Sequence, residues 1–485
     1  MKKTIIILSV IMCLICLPVI AGAQGVTVTA NAIMGTPYHQ LNALFIEYPE
    51  NVAAASIDDY MVVDFQTFNF LEIYERRPYQ QGVITSVYTN DAPAIREDRQ
   101  SVPGRYVVIE LETVTGSYYD EEAEMWRPNN IAGIATVRTN GETTDHYRLD
   151  WSLFTVIQRN DILGESGEVI NSQGVLPTIA PDGVETPEMA TFTQQALKSQ
   201  NGLYDIYYNI SLPENYDANE KYPIIFCQPG AGGSLDYNKQ TADGQFIDIG
   251  GNSTRDMLPI SMARLDGFIV VTTQPWNNTP AEWEVDNPGD YIYLVEYIRD
   301  NYAVDADRIY AIGNSKGTMM TSQAIYRRPD LFTAYAQCNG CFNYIEDGES
   351  KFFSIFKDEL TVPYKGYTEE EMLALAADPE NRLDAETIAQ RGQYLDGIVE
   401  NEMPVYCFDG VNTEVLSPLC TASTYIYLKE CYEAKGYSQE RIDELVRLDF
   451  AEDEQFLKYG VCEYHESTKI VAMDEFDVIP WLLSR

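Results

Sequence analysis

Gly313-Asn314-Ser315-Lys316-Gly317 places a serine between two glycines, straight after the apolar run Arg308-Ile309-Tyr310-Ala311-Ile312 and ahead of a helix-like run from Thr318 to Arg328. A G-x-S-x-G sequence between strand and helix is the signature of a nucleophile elbow. The glycines have a steric task, because side chains two residues either side of the serine would strike neighbouring backbone at so sharp a turn. The serine is then expected to stand proud of the fold on strained backbone. A hydroxyl is a poor nucleophile at neutral pH, so it needs a base within reach and a third group to orient that base. Of the three histidines, only His465 lies downstream of the elbow. His39 and His146 fall in a strand-rich region and read as packing or surface residues.

The remaining parts of an acyl-transfer site can be sought by position. The acid should follow the apolar run Pro404 to Phe408, where the chain reads Asp409-Gly410-Val411-Asn412-Thr413-Glu414. Glu414 is favoured because it stands on a turn past the strand. Asp409 is the alternative, so close to the strand end that its side chain can point along it. Backbone N–H groups must meet the developing oxyanion. Lys316, next to the serine, supplies one, and Ala231 in the loop Gln228-Pro229-Gly230-Ala231-Gly232-Gly233-Ser234 is the choice for the second. That loop is no phosphate cradle, since no G-K-[ST] follows it. Trp276 and Trp283 follow another strand-like run and are candidates to wall a substrate pocket, though aromatics there pack as often as they bind. No cysteine and histidine set has zinc spacing, and neither metal nor cofactor is expected.

The elements that must position these residues differ along the chain. From residue 24 to 160, short runs rich in Val, Ile, Tyr and Thr, such as Val26 to Ile33 and Arg105 to Thr113, alternate with turn signals; this reads as an all-β sandwich. Residues 161–198 are rich in Gly, Pro, Ser, Thr and Glu and read as a linker or an extended strap. From 199 to 485 the period changes. Strand-like runs at Tyr204 to Leu212, Tyr222 to Cys227, Gly267 to Thr273, Arg308 to Ile312, Thr333 to Gln337, Pro404 to Phe408 and Lys458 to Tyr464 alternate with helical ones, which predicts a mostly parallel sheet flanked by helices. His465 would follow the last strand. Residues 342–402 form a charged insertion, either a cap over the carboxyl edge of the sheet or a solvated excursion.

Composition narrows the setting. Residues 1–23 have the pattern of a cleaved signal peptide: Lys2 and Lys3, an apolar stretch from Thr4 to Leu17, and Ala21-Gly22-Ala23. The apolar stretch is short for a membrane span. A soluble, exported product without stable membrane insertion is therefore expected. The formal charge of −41 becomes −43 without the two leader lysines, and such a surface repels nucleic acid and anionic membranes. Seven of nine cysteines lie beyond the leader, an odd number, so at least one is not paired within the chain. Cys227, Cys407 and Cys462 read as buried small residues, while Cys338 and Cys341 are near enough in sequence for a local bridge.

The stretch Asp305 to Met320, with Tyr326-Arg327-Arg328-Pro329-Asp330-Leu331-Phe332 and Pro480-Trp481-Leu482-Leu483, resembles secreted bacterial esterases of the polyhydroxybutyrate-depolymerase and feruloyl-esterase type, members of the α/β-hydrolase superfamily. The β-rich part ahead of it resembles the immunoglobulin-like N-terminal domain of some of those esterases. The resemblance implies an α/β-hydrolase fold preceded by an all-β immunoglobulin-like sandwich, a Ser315–Glu414–His465 triad in the chain order serine, acid, histidine, and homo-oligomerisation through the N-terminal domain. Two positions depart from the pattern. Gln228-Pro229 replaces the usual histidine before the oxyanion glycines, and Thr413 occupies the usual register of the acid. A small-molecule or polymer-linked ester is the expected substrate. A prolyl-oligopeptidase-like peptidase shares the elbow and triad order, and a silent binding protein on the same scaffold is the reading of another class.

Overall fold

The computed structural model describes residues 25–34, 39–64, 80–113, 117–120, 125–128, 154–179, 184–185, 187, 190–230, 235–236, 267–277, 279–346, 349–361, 366–413, 415–457 and 464–485. The serine sits on an eight-stranded sheet. Its strands are β1 (Thr193–Lys198), β2 (Asp205–Ser211), β3 (Tyr222–Gln228), β4 (Ile269–Gln274), β5 (Val304–Asn314), β6 (Ala334–Cys338), β7 (Val405–Gly410) and β8 (Val446–Ala451), in the spatial order β1-β2-β4-β3-β5-β6-β7-β8. β2 runs antiparallel to β1 and β4, and the strands from β4 to β8 are mutually parallel. Parallel strands covered on both faces read as unbroken apolar runs. Alternation then divides them: Ile224, Phe226, Ile309 and Ala311 enter one core, and Ile225, Cys227, Tyr310 and Ile312 the other. Helices α1 (Asn287–Asn301), α2 (Lys316–Arg327) and α3 (Pro418–Ala434) close the first core. Helices α4 (Tyr464–Asp474) and α5 (Val478–Leu483) close the second.

Ahead of this lies the expected sandwich. A five-stranded sheet built on Thr27–Met34, His39–Glu47, Tyr106–Leu111 and Ile84–Asn90 faces a four-stranded one built on Tyr60–Asp64 and Phe154–Gln158. Leu44, Ile46, Val107 and Ile109 from one sheet pack with Tyr60, Val62, Phe154 and Val156 from the other. The Tyr48 hydroxyl lies 2.9 Å from that of Tyr60 and donates to Gln158 Oε1 at 2.9 Å, which satisfies polar groups that burial would otherwise penalise. The candidate strands Ile131 to Thr139 and Asp145 to Leu153, together with His146, lie outside the described residues.

Three expectations require correction. Residues 161–198 are not a plain linker: Gly174–Val175 joins the four-stranded sheet, Val184–Glu185 pairs with Thr27–Met34, and Thr193–Lys198 is the edge strand β1. Edge strands draw on backbone hydrogen bonds more than on a buried face, so Thr193–Lys198 shows almost no apolar alternation. The strand expected just before His465 is likewise misplaced. The last strand of the sheet is β8, Val446–Ala451, and Tyr464 opens a helix, while 458–463 fall outside the described residues. Finally, the 342–402 segment is no solvated excursion. Phe353, Ile355, Phe356, Met372, Leu395 and Ile398 are buried in the first core. The segment touches the carboxyl edge where Tyr367 N–H donates to Val411 O at 3.1 Å, just past β7. No helix among the described residues is long and apolar enough to cross a membrane.

Candidate active site

Ser315 ends β5 and precedes α2 with φ 50° and ψ −121°, a conformation costly for a residue with a Cβ, on the order of 1–3 kcal/mol. The surroundings enforce it. Ser315 N–H donates to Cys338 O on β6 at 3.2 Å, and Ser315 O accepts from Thr318 N–H at 2.9 Å and from Thr318 Oγ1 at 2.6 Å. Both glycines are obligatory for space. A Cβ on Gly317 would lie 2.2 Å from Gln228 O and 2.7 Å from Pro229 O, and one on Gly313 would lie 2.8 Å from Thr318 Cα. The absent side chain at 317 lets the first turn of α2 press against the carboxyl end of β3, where the glycine-rich loop begins. A serine at a helix N-cap ordinarily bonds the helix's own amides. Ser315 makes no such bond, which leaves its hydroxyl for another partner and the first-turn N–H groups, Lys316 among them, without a side-chain cap.

That partner is His465. Its Nε2 lies 2.8 Å from Ser315 Oγ across 150 positions of sequence, and the ring is buried at 4% exposure. The imidazole is mounted on the first turn of α4, and its own carbonyl accepts from Asn339 Nδ2. Asn339 follows β6 in the left-handed region, φ 54°, fully buried, with its N–H donating to Phe408 O at 2.8 Å. One residue thus ties the ends of β6 and β7 to the helix that carries the imidazole. Sequence reasoning passed over Asn339. The signal available was the dipeptide Asn339-Gly340 straight after a strand, a turn mark in which asparagine tolerates positive φ.

The candidate acids differ in placement. Asp409 is fully buried; its Oδ1 accepts from Gly410 N–H at 2.8 Å, and Thr421 Oγ1 on α3 lies 2.6 Å from its Oδ2. By alternation it belongs with Val405 and Cys407 on the face of α1–α3, whereas Tyr406 and Phe408 meet α4 and α5 on the other. Glu414 lies outside the described residues, but its loop is anchored on both sides: Asn412 Nδ2 donates to Asp453 Oδ1 at 2.7 Å, and Thr413 Oγ1 donates to Leu416 O at 2.9 Å. Ala231 also lies outside the described residues.

Trp276 is 4% exposed; its indole N–H donates to Asp205 O at 2.8 Å, and its ring meets Trp283 edge-on with centroids 5.4 Å apart. Trp283 in turn stacks on Tyr204 at 5.5 Å. Both indoles therefore brace β2 against the start of α1. Trp276 also joins Gln228, Thr273, Asp290, Tyr291 and Met320 around a cavity of about 20 Å³, room for one water behind the elbow. Burial, opposed by the Tyr204 hydroxyl donating at 2.7 Å and aided by nearby Asp286, lifts the Asp290 carboxyl to about 6. At the carboxyl ends of β7 and β8, an open cavity of about 530 Å³ is lined by Tyr367, Glu371, Asn412, Glu452, Asp453 and Glu454. Cys338 and Cys341 are buried free thiols, as are Cys227, Cys407 and Cys420; Cys462 lies outside the described residues.

Residues 39–171 match the esterase Ig-like N-terminal domain family, and residues 274–385 match the prolyl oligopeptidase family. Feruloyl esterase B of Thermothelomyces thermophilus is 29% identical over 165 residues, which are 31% of this chain and 50% of that protein. Dipeptidyl-peptidase 5 of Porphyromonas gingivalis is 27% identical over 145 residues, 28% of this chain and 19% of that protein. The chain thus spans half or less of the length of these curated relatives. A thermostable esterase of known structure superposes with a TM-score of 0.59 at 18% identity, covering 94% of this chain and 99% of that one, which establishes the shared fold. The chain thus has an α/β-hydrolase fold, preceded by a domain that matches the esterase Ig-like N-terminal family.

Proposed function

We propose that the chain is a secreted serine carboxylic-ester hydrolase. The observation that carries this reading is the 2.8 Å contact between His465 Nε2 and Ser315 Oγ at a strained elbow. Ser315 Oγ attacks the ester carbonyl carbon while His465 takes its proton. The tetrahedral oxyanion is met by the Lys316 and Ala231 N–H groups. Collapse expels the alcohol, protonated by His465, and leaves an acyl-serine that water cleaves by the same steps in reverse roles. Glu414 is the acid that orients the imidazole, with Asp409 the alternative. The engagement of both Asp409 oxygens, Oδ1 by Gly410 N–H and Oδ2 by Thr421 Oγ1, favours Glu414.

The match of residues 274–385 to the prolyl oligopeptidase family supports a second reading, a serine peptidase using the same groups. The esterase-type domain at residues 39–171 and the likeness to a feruloyl esterase favour esters. The deciding experiment pairs p-nitrophenyl acetate, p-nitrophenyl butyrate and feruloyl esters with peptide amides, for the wild type and Ser315→Ala. Hydrolysis of esters that is lost in the folded variant, together with fluorophosphonate labelling of Ser315, is expected. Undiminished ester turnover by pure Ser315→Ala protein would overturn the proposal, and turnover confined to amides would select the peptidase.

A further inference from the structure

The sequence holds 74 acidic and 33 basic side chains, and the described lysines and arginines commonly find carboxylates, as in Lys351–Glu346, Arg382–Glu430 and Arg441–Glu402. Lys316, next to the nucleophile, has none among the described residues. Its Nζ donates to a neutral group, Asn277 Oδ1. An ammonium has three donors, and a partly buried one held by a single amide is poorly compensated for its lost hydration. Burial accordingly pushes it below the usual lysine range. In so acidic a chain, an ammonium that meets a neutral amide and no carboxylate among the described residues is a local exception beside the serine, and it is suited to an anionic group on a substrate.

Its place says where that anion would come from. Asn277 lies on a two-residue strand, Trp276–Asn277, paired with Leu235–Asp236, and the latter directly follows the glycine-rich loop of the proposed oxyanion hole. The Lys316 side chain therefore leaves the residue next to the serine and ends on Asn277, whose short strand is paired with Leu235–Asp236. An ester whose oxyanion meets the Lys316 N–H lies within the length of one lysine side chain from that ammonium.

Resting on the ester-hydrolase reading above, we propose that Lys316 is a specificity-determining residue, and that the enzyme's substrates are esters bearing a carboxylate close to the scissile bond. The overall acidic charge does not oppose this at contact range, because salt screens distant charges over about 8 Å at physiological ionic strength. The local ammonium then decides. The carboxylate can sit on the acyl or the alcohol side, and matched ester pairs separate the two.

The test measures kcat/KM, normalised by fluorophosphonate titration of Ser315 so that misfolded protein is not counted. p-Nitrophenyl pentanoate is paired with the mono-p-nitrophenyl ester of glutaric acid for the acyl side, and 4-acetoxybenzamide with 4-acetoxybenzoate for the alcohol side. The wild type is expected to favour the anion of one pair. Lys316→Met is expected to lower that anionic-to-neutral ratio by tenfold or more, and Lys316→Arg to retain most of it. Equal losses on both members of each pair, or a ratio unmoved by Lys316→Met, would overturn the inference while leaving ester hydrolysis intact. A wild type that cleaves none of the four esters would instead remove the ester-hydrolase reading.

Discussion

The two groups that meet at 2.8 Å are mounted in opposite ways. Ser315 is held mainly by backbone, with Thr318 Oγ1 donating to its carbonyl: two glycines that no other residue can replace, a left-handed turn, and a helix pressed against β3. His465 is held by a side chain, the Asn339 amide, reaching from a different part of the chain to a helix that belongs to the other core. The first mount is local and spans five residues of sequence. The second depends on long-range packing, since Asn339 and His465 are 126 positions apart. A local mount fixes its group whenever the sheet forms, whereas a long-range one is exact only when both cores are complete.

The largest test of this contrast removes the group on the long-range mount. His465→Gln is expected to lower kcat on p-nitrophenyl butyrate by a factor on the order of 10⁵, with the thermal midpoint little changed, because Ser315 keeps its strained turn without its base. A loss under tenfold would show that another group activates the serine. Next come the acids. Glu414→Gln is expected to cost on the order of 10⁴ in kcat, and Asp409→Asn less than about tenfold. Reversed magnitudes would move the orienting role to the buried aspartate beside Thr421. Smaller still is Asn339→Ala, which cuts the tie to the His465 carbonyl and leaves the ring free to drift. A fall in kcat of about ten- to a hundredfold with KM held is expected. Asn339→Gly keeps the left-handed turn without the amide, so a matching loss assigns the effect to the tie rather than to backbone strain.

The same contrast explains what was legible in the sequence. The elbow, the sheet and the flanking helices follow from patterns within a dozen residues: unbroken apolar strands, a glycine pair, and helices near 287–301, 316–327 and 418–434. The pairing of Ser315 with His465 was readable from the scarcity of histidine, a matter of counting more than of geometry. Other parts left no local trace. β1 is an edge strand whose Thr-Gln-Gln-Ala-Leu-Lys sequence carries little apolar alternation, and β8, with Arg447 and Asp449 at intermediate exposure, lies at the other edge. His465 was expected after a strand and stands on a helix, because Tyr464–Asp474 packs through Val471, Ala472 and Met473, residues equally at home in either element. Asn339 carries its function only through partners remote in sequence, which no window on the chain displays.

The two mounts should also differ in their response to pH. The tie from Asn339 to the His465 carbonyl involves no titrating group, but the floor beneath the elbow includes Asp290, whose carboxyl burial lifts to about 6. In the unfolded chain the same carboxyl titrates near its ordinary value, about 4. Between these values the folded state binds more protons than the unfolded one, so stability falls as pH rises from about 4 to 6 and this contribution is flat above that. Asp290→Asn keeps a partner for the Tyr204 hydroxyl and removes the titration. Its stability relative to wild type in urea should therefore rise between pH 4.5 and 7, by on the order of 1 kcal/mol once solvent screening of a partly exposed group is allowed for. A difference that does not change with pH would mean that the carboxylate is as well solvated in the fold as outside it, and the elbow's mount would then be as insensitive to protons as the histidine's.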